Sequence, residues 1–420
     1  MAGSYGRVLR QPALRRILPG MLVSALGDGM SMVAVAWLAV QIAPADQAGV
    51  WTGLAVAAYA LPATLGAALL ARFVRRFSGV RLVAVDASLR AVVLGGIAAL
   101  AVAGVLGPAL YVGLLALSSL LHAWGNAGAY TVVAEVLPEE DRVTGNALVS
   151  TFTQAAVLVG PALGGLLLAA VSPGWVIAAD AASFAVLAAI CWATAPGYTA
   201  TATPDDATAS PDDVAEEPAG GWRTLRSQPK LLGLLAVTCV FFFLYGPVEV
   251  ALPIHVATEA HASASLLGLY WTVFGVGCTV GGLAAGFLRH QPLWLVVISI
   301  IVGWGAALLP LGLTDSVAPG LVGMAIGGLI YGPFTAICTA LFQRLSPPSA
   351  LSRVLAARSA LTIPATALGV MLGGPLVSAV GGRQTLLISA VLTIAFGVAV
   401  AVVLAVAHNV GQRRELAEAA

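Results

Sequence analysis

Long apolar stretches separated by short polar gaps run through the whole chain. Each stretch is about as long as a helix that crosses a bilayer, which needs roughly 20 residues. Twelve stretches can be delimited, six on each side of a polar segment at 196–222. They lie at about 17–43, 47–71, 81–105, 109–134, 145–171, 175–195, 231–257, 264–288, 292–313, 318–342, 355–380 and 384–408. The pattern predicts an all-α membrane protein with twelve transmembrane helices in two six-helix bundles, at 1–195 and 223–420.

The segment at 196–222 differs in composition from both predicted bundles. It is rich in Ala, Thr, Pro, Asp and Glu and holds no basic residue. Such a segment buries too little apolar surface to fold, so we expect an acidic, disordered linker. Eighteen of the 20 basic residues lie at the termini or at or near alternate gaps between the stretches, with Arg81 and Arg358 at the start of a stretch. The positive-inside rule therefore predicts a multi-pass cell-membrane protein with both termini, including a short C-terminal tail, and the linker in the cytoplasm.

Composition narrows the possible functions. Charged residues make up 9% of the chain and hydrophobic residues 59%, whereas a soluble domain carries about 25% charged residues. The net charge of +1 argues against a nucleic-acid partner. Lys230, the single lysine, follows no glycine-rich loop, so ATP hydrolysis is not expected. The cysteines and histidines show no metal-ligand spacing and no nucleophile–base pattern appears, so we expect no metal, no cofactor and no enzymatic activity.

A glycine- and proline-rich run interrupts the fifth stretch. It reads Gly160-Pro161-Ala162-Leu163-Gly164-Gly165. The proline removes one backbone donor, and the glycines leave a strip without side chains. In lipid a neighbouring helix can pack closely on such a strip, and the freed carbonyl can be satisfied locally. We therefore expect a helix contact that slides or bends, formed by Gly160, Pro161, Gly164 and Gly165.

The two halves repeat each other in sequence. Gln11-Pro12 before the first stretch matches Gln228-Pro229 before the seventh, 217 positions later. Gly53 and Gly66 match glycines 215 positions later, and Gly164-Gly165 matches Gly373-Gly374, 209 positions later. This pattern indicates a parallel duplication of a six-helix unit, a construction that places a central site at the interface of two transporter halves.

Several runs resemble the motifs of one transporter family. They are Leu26-Gly27-Asp28, Asp86-x-x-x-Arg90-Ala91, Gly145-Asn146-Ala147-Leu148, the Gly160–Gly165 run, Asp180-Ala181-Ala182-Ser183-Phe184, Phe274-Gly275-Val276-Gly277 and Tyr331-Gly332-Pro333-Phe334. With them the chain resembles the major facilitator superfamily, in the branch of siderophore exporters and macrolide or multidrug efflux proteins. The resemblance implies the major facilitator fold with two pseudo-symmetric bundles. It also implies that the Gly160–Gly165 run is an antiporter motif.

The loop between the second and third stretches departs from this family. Its members usually carry an acidic residue ahead of the basic ones, and that acid gates the cytoplasmic side. Ala71 stands in its place here, while Arg72, Arg75 and Arg76 remain. The resemblance thus implies three gating arginines that lack the usual acid.

Two acids lie where an apolar helix should exclude them. Charged side chains at the bilayer centre cost about 2.5–3.5 kcal/mol on insertion scales, so each is a functional candidate. Asp28 has no basic neighbour at helical spacing, which favours its protonated form. Glu249 follows Pro247 and precedes Pro253, which predicts a broken helix around it. We therefore expect Asp28 and Glu249 to couple transport to protons, and Glu249 alternatively to pair with a cationic substrate. The structural alternatives are hydrogen bonding that holds the first span in place for Asp28 and a wet position nearer the outer surface for Glu249.

The other intramembrane charges are expected to be mainly structural. Asp86 and Arg90 are four residues apart and can pair directly on one helix. Asp180 matches the family pattern in the sixth stretch. Arg358 either snorkels to the membrane surface or reaches Glu135 or Asp141.

Aromatic and amide residues of the inner stretches are expected to line a substrate cavity, because superfamily members build it from these spans. They are Trp37, Tyr59, Trp124, Asn126, Tyr130, Gln154, Tyr245, Tyr270, Trp271 and Tyr331. As a set they suit a large, mostly apolar ligand.

The expected function is proton-coupled antiport, in which a lipophilic drug, antibiotic or secreted metabolite is exported by alternating access. The partners are that substrate, protons and the bilayer, and the chain is expected to act as a monomer. A proton symporter that imports a small nutrient keeps the same fold. A non-transporting membrane receptor or assembly partner is the third possibility, because the gating acid is missing.

Overall fold

The structure is a computed structural model that describes residues 2–60, 62, 66, 77–197, 222–314, 316–347 and 350–418. Nearly all of these residues are helical. Eleven helices in the described part are long and apolar enough to cross a membrane. They match eleven of the twelve predicted spans. The second predicted span, at 47–71, is described only in part, and Arg72, Arg75 and Arg76 lie outside the described residues.

Eight α-helices are delimited within the described part of the first half. They are α1 (Ala2–Arg10), α2 (Pro12–Ile42), α3 (Ala48–Ala60), α4 (Gly79–Val102), α5 (Pro108–Ser119), α6 (His122–Val136), α7 (Glu139–Leu168) and α8 (Pro173–Thr194). Proline occupies the first turn of α2, α5 and α8, where its missing N–H leaves no hydrogen bond unmade. The α4 helix begins where the Gly79 amide donates to Glu135 Oε2 over 3.1 Å.

Seven α-helices are delimited from Pro229 onward in the described residues. They are α9 (Pro229–Ile254), α10 (Ala264–Ala284), α11 (Leu293–Leu313), α12 (Val317–Tyr331), α13 (Phe334–Leu345), α14 (Leu351–Val380) and α15 (Gly382–Glu418). The fourth and tenth predicted spans are each divided into two helices, α5 with α6 and α12 with α13. Gly332 and Pro333 explain the second division, whereas no proline or glycine marks the first at Leu120 and Leu121.

The helix around Glu249 is continuous, so the predicted break there is wrong. The α9 helix runs through Pro247 and Pro253, and the irregularity is a π-helical turn beyond them at His255–Glu259. Pro247 removes the hydrogen bond that the Phe243 carbonyl would otherwise accept. That carbonyl lies against Gly369 of α14, where the lack of a side chain allows the two helices to approach closely.

The chain forms two compact units. The first contains 1–214 together with Pro253–Thr272, and the second contains 215–252 together with 273–420. In the first unit α4 packs along α8, and α2 packs along both α7 and α8. In the second unit α11 packs along α15 and α12. The predicted linker at 196–222 lies almost entirely outside the described residues, so the predicted domain boundaries stay a prediction.

Candidate functional site

A buried arginine organises the interior of the first unit. The Arg90 side chain on α4 is 1% exposed. Its Nη2 donates to Asp28 Oδ1 of α2 over 2.5 Å and to the Tyr59 hydroxyl of α3 over 2.8 Å. Its Nη1 donates to His122 Nδ1 of α6 over 2.5 Å. The Tyr59 hydroxyl also donates to Asp28, so one guanidinium ties four helices together.

The expectation that Asp28 lacks a basic partner is therefore wrong. The partner is Arg90, which is 62 positions away in sequence and meets Asp28 only through helix packing. The expected pair between Asp86 and Arg90 is not formed either, because Arg90 extends toward Asp28 instead. His122 belongs to this cluster and was missed, although a histidine within an apolar stretch carries the same signal as Asp28.

Aromatic rings cover the guanidinium of Arg90. Its Cζ lies 4.5 Å from the ring centroid of Phe184 and 5.4 Å from that of Tyr59. Cations are attracted to aromatic faces by the ring quadrupole, more strongly when water is excluded. The rings thus offset part of the cost of burying this charge, and they fix the position of the guanidinium.

Asp86 lies beside this cluster without sharing its hydrogen bonds. Its side chain is buried against Gly125 of α6, and its Oδ1 atom has no hydrogen-bond partner among the described residues. Asp28, Asp86 and His122 line a cavity of about 170 Å³. The remaining lining residues come mainly from α2, α6, α7 and α8 and include Asn126, Thr153 and Ser24, whose Oγ atom is equally without a partner in the described part.

Asp180 of α8 holds the other side of α2. Its Oδ2 accepts a hydrogen bond from Ser31 over 2.6 Å. The Ser183 hydroxyl donates to the Asp180 main-chain carbonyl over 2.7 Å and lies 3.4 Å from Asp180 Oδ1. A Cβ atom at Gly27 would overlap this carboxyl group, so glycine is needed at that position. The geometry suits the structural role predicted for Asp180, which stays a prediction.

The Gly160–Gly165 run forms close backbone contacts on two sides. A Cβ atom at Gly29 of α2 would lie 2.9 Å from the Gly160 Cα atom, and one at Gly164 would lie 3.1 Å from the Met30 Cα atom. On another face of α7, a Cβ atom at Gly165 would lie 2.6 Å from the Gly268 Cα atom. Two helices therefore approach α7 as closely as glycine permits.

The second unit repeats the first of these contacts. A Cβ atom at Gly246 of α9 would lie 2.6 Å from the carbonyl carbon of Gly369, and one at Gly373 would lie 2.7 Å from the Pro247 Cα atom. Gly246 follows Gly29 by 217 positions. Gly369 and Gly373 follow Gly160 and Gly164 by 209, which are the offsets of the sequence repeat. The seam between α2 and α7 thus recurs between α9 and α14.

Glu249 of α9 is half-buried in the second unit. The structure gives no hydrogen bond or ion pair to its carboxylate within the described ranges. It does interact electrostatically with the hydroxyl groups of Tyr245 and Tyr331. This environment is apolar and aromatic, unlike the ionic surroundings of Asp28.

An aromatic cluster fills the interior of the second unit, with Tyr331 at its centre. The Tyr331 ring centroid lies 5.6–6.0 Å from five others, those of Phe241, Tyr245, Phe274, Trp304 and Phe334. Most of these pairs are tilted, which is an arrangement that favours aromatic attraction. Phe242 extends the cluster from α9.

The other predicted cavity residues are dispersed. Trp37 is half-buried, while Trp124, Tyr270 and Trp271 are buried. Tyr130 is exposed and bonds Ser150, and the exposed Asn126 bonds His122. Of the ten, Asn126 lines the 170 Å³ cavity. The Gln154 side chain lies outside the described structure.

Arg358 contacts two side chains of the second unit. Its Nη1 donates to Thr339 over 2.9 Å, and its Cζ lies 5.3 Å from the ring centroid of Phe342. Asp141, one of its predicted alternative partners, is bound by Arg7 instead.

This architecture defines a multi-pass membrane transporter. The sequence profile described as Major Facilitator Superfamily matches residues 17–254 and 246–419. The chain therefore belongs to the major facilitator superfamily.

Relatives and solved structures agree with this assignment. The "Multidrug efflux pump Tap" of Mycobacterium tuberculosis (strain ATCC 25618 / H37Rv) is 30% identical over 389 residues, 88% of each chain. "Macrolide efflux protein A" of Streptococcus pyogenes is 26% identical over 274 residues, which are 64% of this chain and 67% of that protein. A bacterial homologue of the human lysosomal transporter Spinster superposes with a TM-score of 0.67 at 14% identity, covering 93% and 96% of the two chains. The last likeness shows the fold alone.

Proposed function

We propose that this chain exports lipophilic small molecules across the cell membrane in exchange for protons. Support for export comes from the relatives, which are named as multidrug and macrolide efflux proteins. Support for a lipophilic substrate comes from the aromatic cluster around Tyr331, since apolar and aromatic side chains dominate sites for such ligands. The chain then carries its substrate by alternating access and catalyses no covalent reaction.

The observation that carries the proton assignment is the set of ionisable groups around Arg90. Charges inside a membrane bundle are costly and mark ion or proton pathways. Here the Asp28 side chain is 28% exposed and lines the cavity, and it also forms the ion pair with Arg90. Protonation of a carboxyl group in this cluster would redistribute its hydrogen bonds across α2, α3, α4 and α6. Because Asp28 is next to Gly29 in α2, such a protonation would also affect the glycine contact between α2 and α7.

Glu249 supplies a second acidic group in this proposal. Its aromatic, uncompensated surroundings suit either a proton or a cationic part of the substrate. If the proton and the substrate compete for the same acids, the carrier holds only one of them at a time. Exchange of substrate for protons requires this. The distribution of basic residues supports a cytoplasmic position for both termini and the linker. A single chain holds both units, which supports a monomer.

The decisive experiment uses inside-out membrane vesicles from a host strain that lacks its own drug pumps. Uptake of a radiolabelled macrolide and of the fluorescent cation ethidium is measured with and without an imposed pH gradient that is acid inside. Uptake that appears only with this chain and only with the gradient supports the proposal. Uptake that does not need the gradient would show that transport is not coupled to protons.

Variants separate the proposed roles. Asp28→Asn and Glu249→Gln should each reduce gradient-driven uptake, whereas Asp46→Asn, in the exposed turn Ala45–Gln47, should leave it unchanged. Transport that survives in both acid variants would contradict the assignment. Gradient-driven movement in the opposite direction would favour the nutrient symporter, and a panel of further drugs and metabolites with no flux would favour the receptor.

A further inference from the structure

Three carboxyl groups face one arginine inside the first unit. Asp28 of α2, Asp86 of α4 and Asp180 of α8 all interact electrostatically with Arg90. His122 of α6 accepts a hydrogen bond from the guanidinium and so adds no positive charge there. Three acids against one fixed cation leave an excess of negative charge, and uncompensated charge in a desolvated interior is costly. At least one of these groups is therefore suited to carry a proton.

Two of the three acids are already satisfied. Asp28 has an ion pair with Arg90 and a hydrogen bond from Tyr59. The Asp180 carboxylate accepts a 2.6 Å hydrogen bond from Ser31, and the Ser183 hydroxyl lies 3.4 Å from its other oxygen. Hydrogen bonds and an ion pair to a carboxylate stabilise its charged form, so neither acid gains as much from a proton as an unsatisfied one would.

Asp86 is the unsatisfied member. It is 5% exposed, and its Oδ1 atom has no partner within the described part of the chain. It lines the 170 Å³ cavity, together with the equally unpartnered Oγ atom of Ser24. A cavity of this volume has room for about five water molecules at roughly 30 Å³ each. Buried polar atoms without protein partners are usually satisfied by such water.

The repeat sharpens the contrast between the halves. The α4 and α11 helices begin 214 positions apart, and at this offset Asp86 corresponds to Ile300, a buried apolar residue of the second unit. The same fold position thus packs well with a hydrocarbon side chain. A buried acid at 86 is therefore not required by the architecture.

We propose that Asp86 is the carboxyl group that takes up the transported proton from the cavity between α2, α4, α6 and α7. This inference rests on proton-coupled transport as the proposed function. Hydronium in the cavity gives its proton to the Asp86 carboxylate, an O–H bond forms, and a water molecule remains. The ionisable groups around Asp86 are Arg90 on its own helix, Asp28 of α2 and His122, which lines the same cavity. Tyr59 and Asp180 interact with Arg90 and Asp28, and α7 contributes Thr153, which does not titrate. Asp28 stays ionised against Arg90 throughout.

Infrared difference spectroscopy of the full chain in lipid tests this assignment without any substrate. Protonated and ionised carboxyl groups absorb at different frequencies, so spectra at stepped pH values report each group that titrates. Wild type should show a buried carboxyl band that gains intensity as pH falls. Asp86→Asn should remove that band, and Asp28→Asn, Glu249→Gln and the surface control Asp46→Asn should retain it. Persistence of the band in Asp86→Asn, or its loss in Asp28→Asn, overturns the proposal.

Transport in the inside-out vesicles distinguishes this inference from the function on which it rests. If wild type needs the pH gradient and Asp86→Asn still does, the site is wrong while proton-driven export stands. If wild type ignores the gradient but the infrared band depends on Asp86, the site binds a proton that transport does not use. Asp86→Glu keeps the carboxyl group and should restore gradient dependence. Restoration excludes a purely structural loss in Asp86→Asn, and a failure of the folded Asp86→Glu protein to restore it counts against the proposal.

Discussion

The rings of Tyr245 and Trp304 lie 5.8 Å apart at the positions that correspond to the ion pair of Asp28 and Arg90. Tyr245 follows Asp28 by 217 positions, and Trp304 follows Arg90 by 214. The correspondence continues at neighbouring positions, because Phe274 follows Tyr59 by 215 and Tyr331 follows His122 by 209. The same four positions of the repeated unit thus form an ionic cluster in one half and an aromatic cluster in the other. The duplicated fold has kept its helices while the two interiors have acquired different chemistry.

Loss of the arginine should destabilise the chain more than loss of Asp28. Arg90→Gln leaves the buried acids without a cation, and breaking a buried pair in this way costs about 3–5 kcal/mol. Asp28→Asn should cost less, because Arg90 still faces Asp86 and Asp180. The double variant should be less destabilised than the sum of the two single variants. Thermal unfolding in detergent, read as a double-mutant cycle, measures this coupling.

Purely additive effects would contradict the prediction. Trp304→Leu serves as the control for the equivalent position, since it removes packing without removing charge. Its effect should be independent of Asp28→Asn.

The aromatic cluster gives a second prediction. Tyr331 contacts five rings, so Tyr331→Ala should open a cavity and destabilise the chain by about 3–5 kcal/mol, as other large-to-small aromatic substitutions do. Tyr331→Phe keeps the ring and should preserve stability. If the hydroxyl also contacts substrate, Tyr331→Phe should lower ethidium or macrolide uptake at unchanged Tm. Equal stability of the alanine and phenylalanine variants would show that the cluster is not a packed core.

Much of the fold could be predicted from local sequence, whereas the site could be predicted only in part. The length of each apolar stretch delimits a span, because every transmembrane helix must cross the bilayer on its own. The partner of Asp28 depends on how four helices pack, and spacing along one helix cannot reveal it. For that reason Asp28 and Arg90 were recognised singly, and their contact was not.

Proline was a misleading signal at Glu249. In water Pro247 and Pro253 would break a helix, which is the basis of the predicted break at Glu249. In the structure α9 is continuous through both prolines, and α14 approaches closely at Gly369, beside the carbonyl that Pro247 leaves free. By contrast, the division at Leu120 and Leu121, which places His122 at the start of α6 and next to Arg90, has no local marker.

The glycine contacts between α2 and α7, and between α9 and α14, should tolerate no added side chain. Gly160→Ala places a methyl group on the backbone of Gly29, so α2 and α7 must separate at a cost of about 1–3 kcal/mol. Gly369→Ala should have a similar effect between α9 and α14. Gly96→Ala, where no atom lies within 4 Å, should be neutral or slightly stabilising. Thermal unfolding measures the cost, and a Gly160→Ala protein as stable as Gly96→Ala would show that the helices are not in contact.

The N-terminal helix should depend on a single ion pair. Arg7 of α1 donates to both carboxylate oxygens of Asp141 at the start of α7, over 2.7 Å from Nη2 and 2.9 Å from Nε. The hydrogen bond to Asp141 raises the pKa of the Arg7 guanidinium, so it stays charged at any pH of the experiment. Arg7→Gln should therefore release α1 and speed hydrogen exchange of its amides. The exposed Arg10, which has no ion pair in the described structure, supplies the control Arg10→Gln.

High salt distinguishes the contribution of this ion pair to the stability of α1 from that of Val8, which is fully buried on the same helix. Arg7 is 54% exposed and Asp141 only 3%, so ions reach the pair from one side. In 1 M salt the screening length falls to about 3 Å, and exchange in α1 of the wild type should approach that of Arg7→Gln. Exchange that is slow in both proteins at every salt concentration would show that Val8, and not Arg7, holds α1 in place.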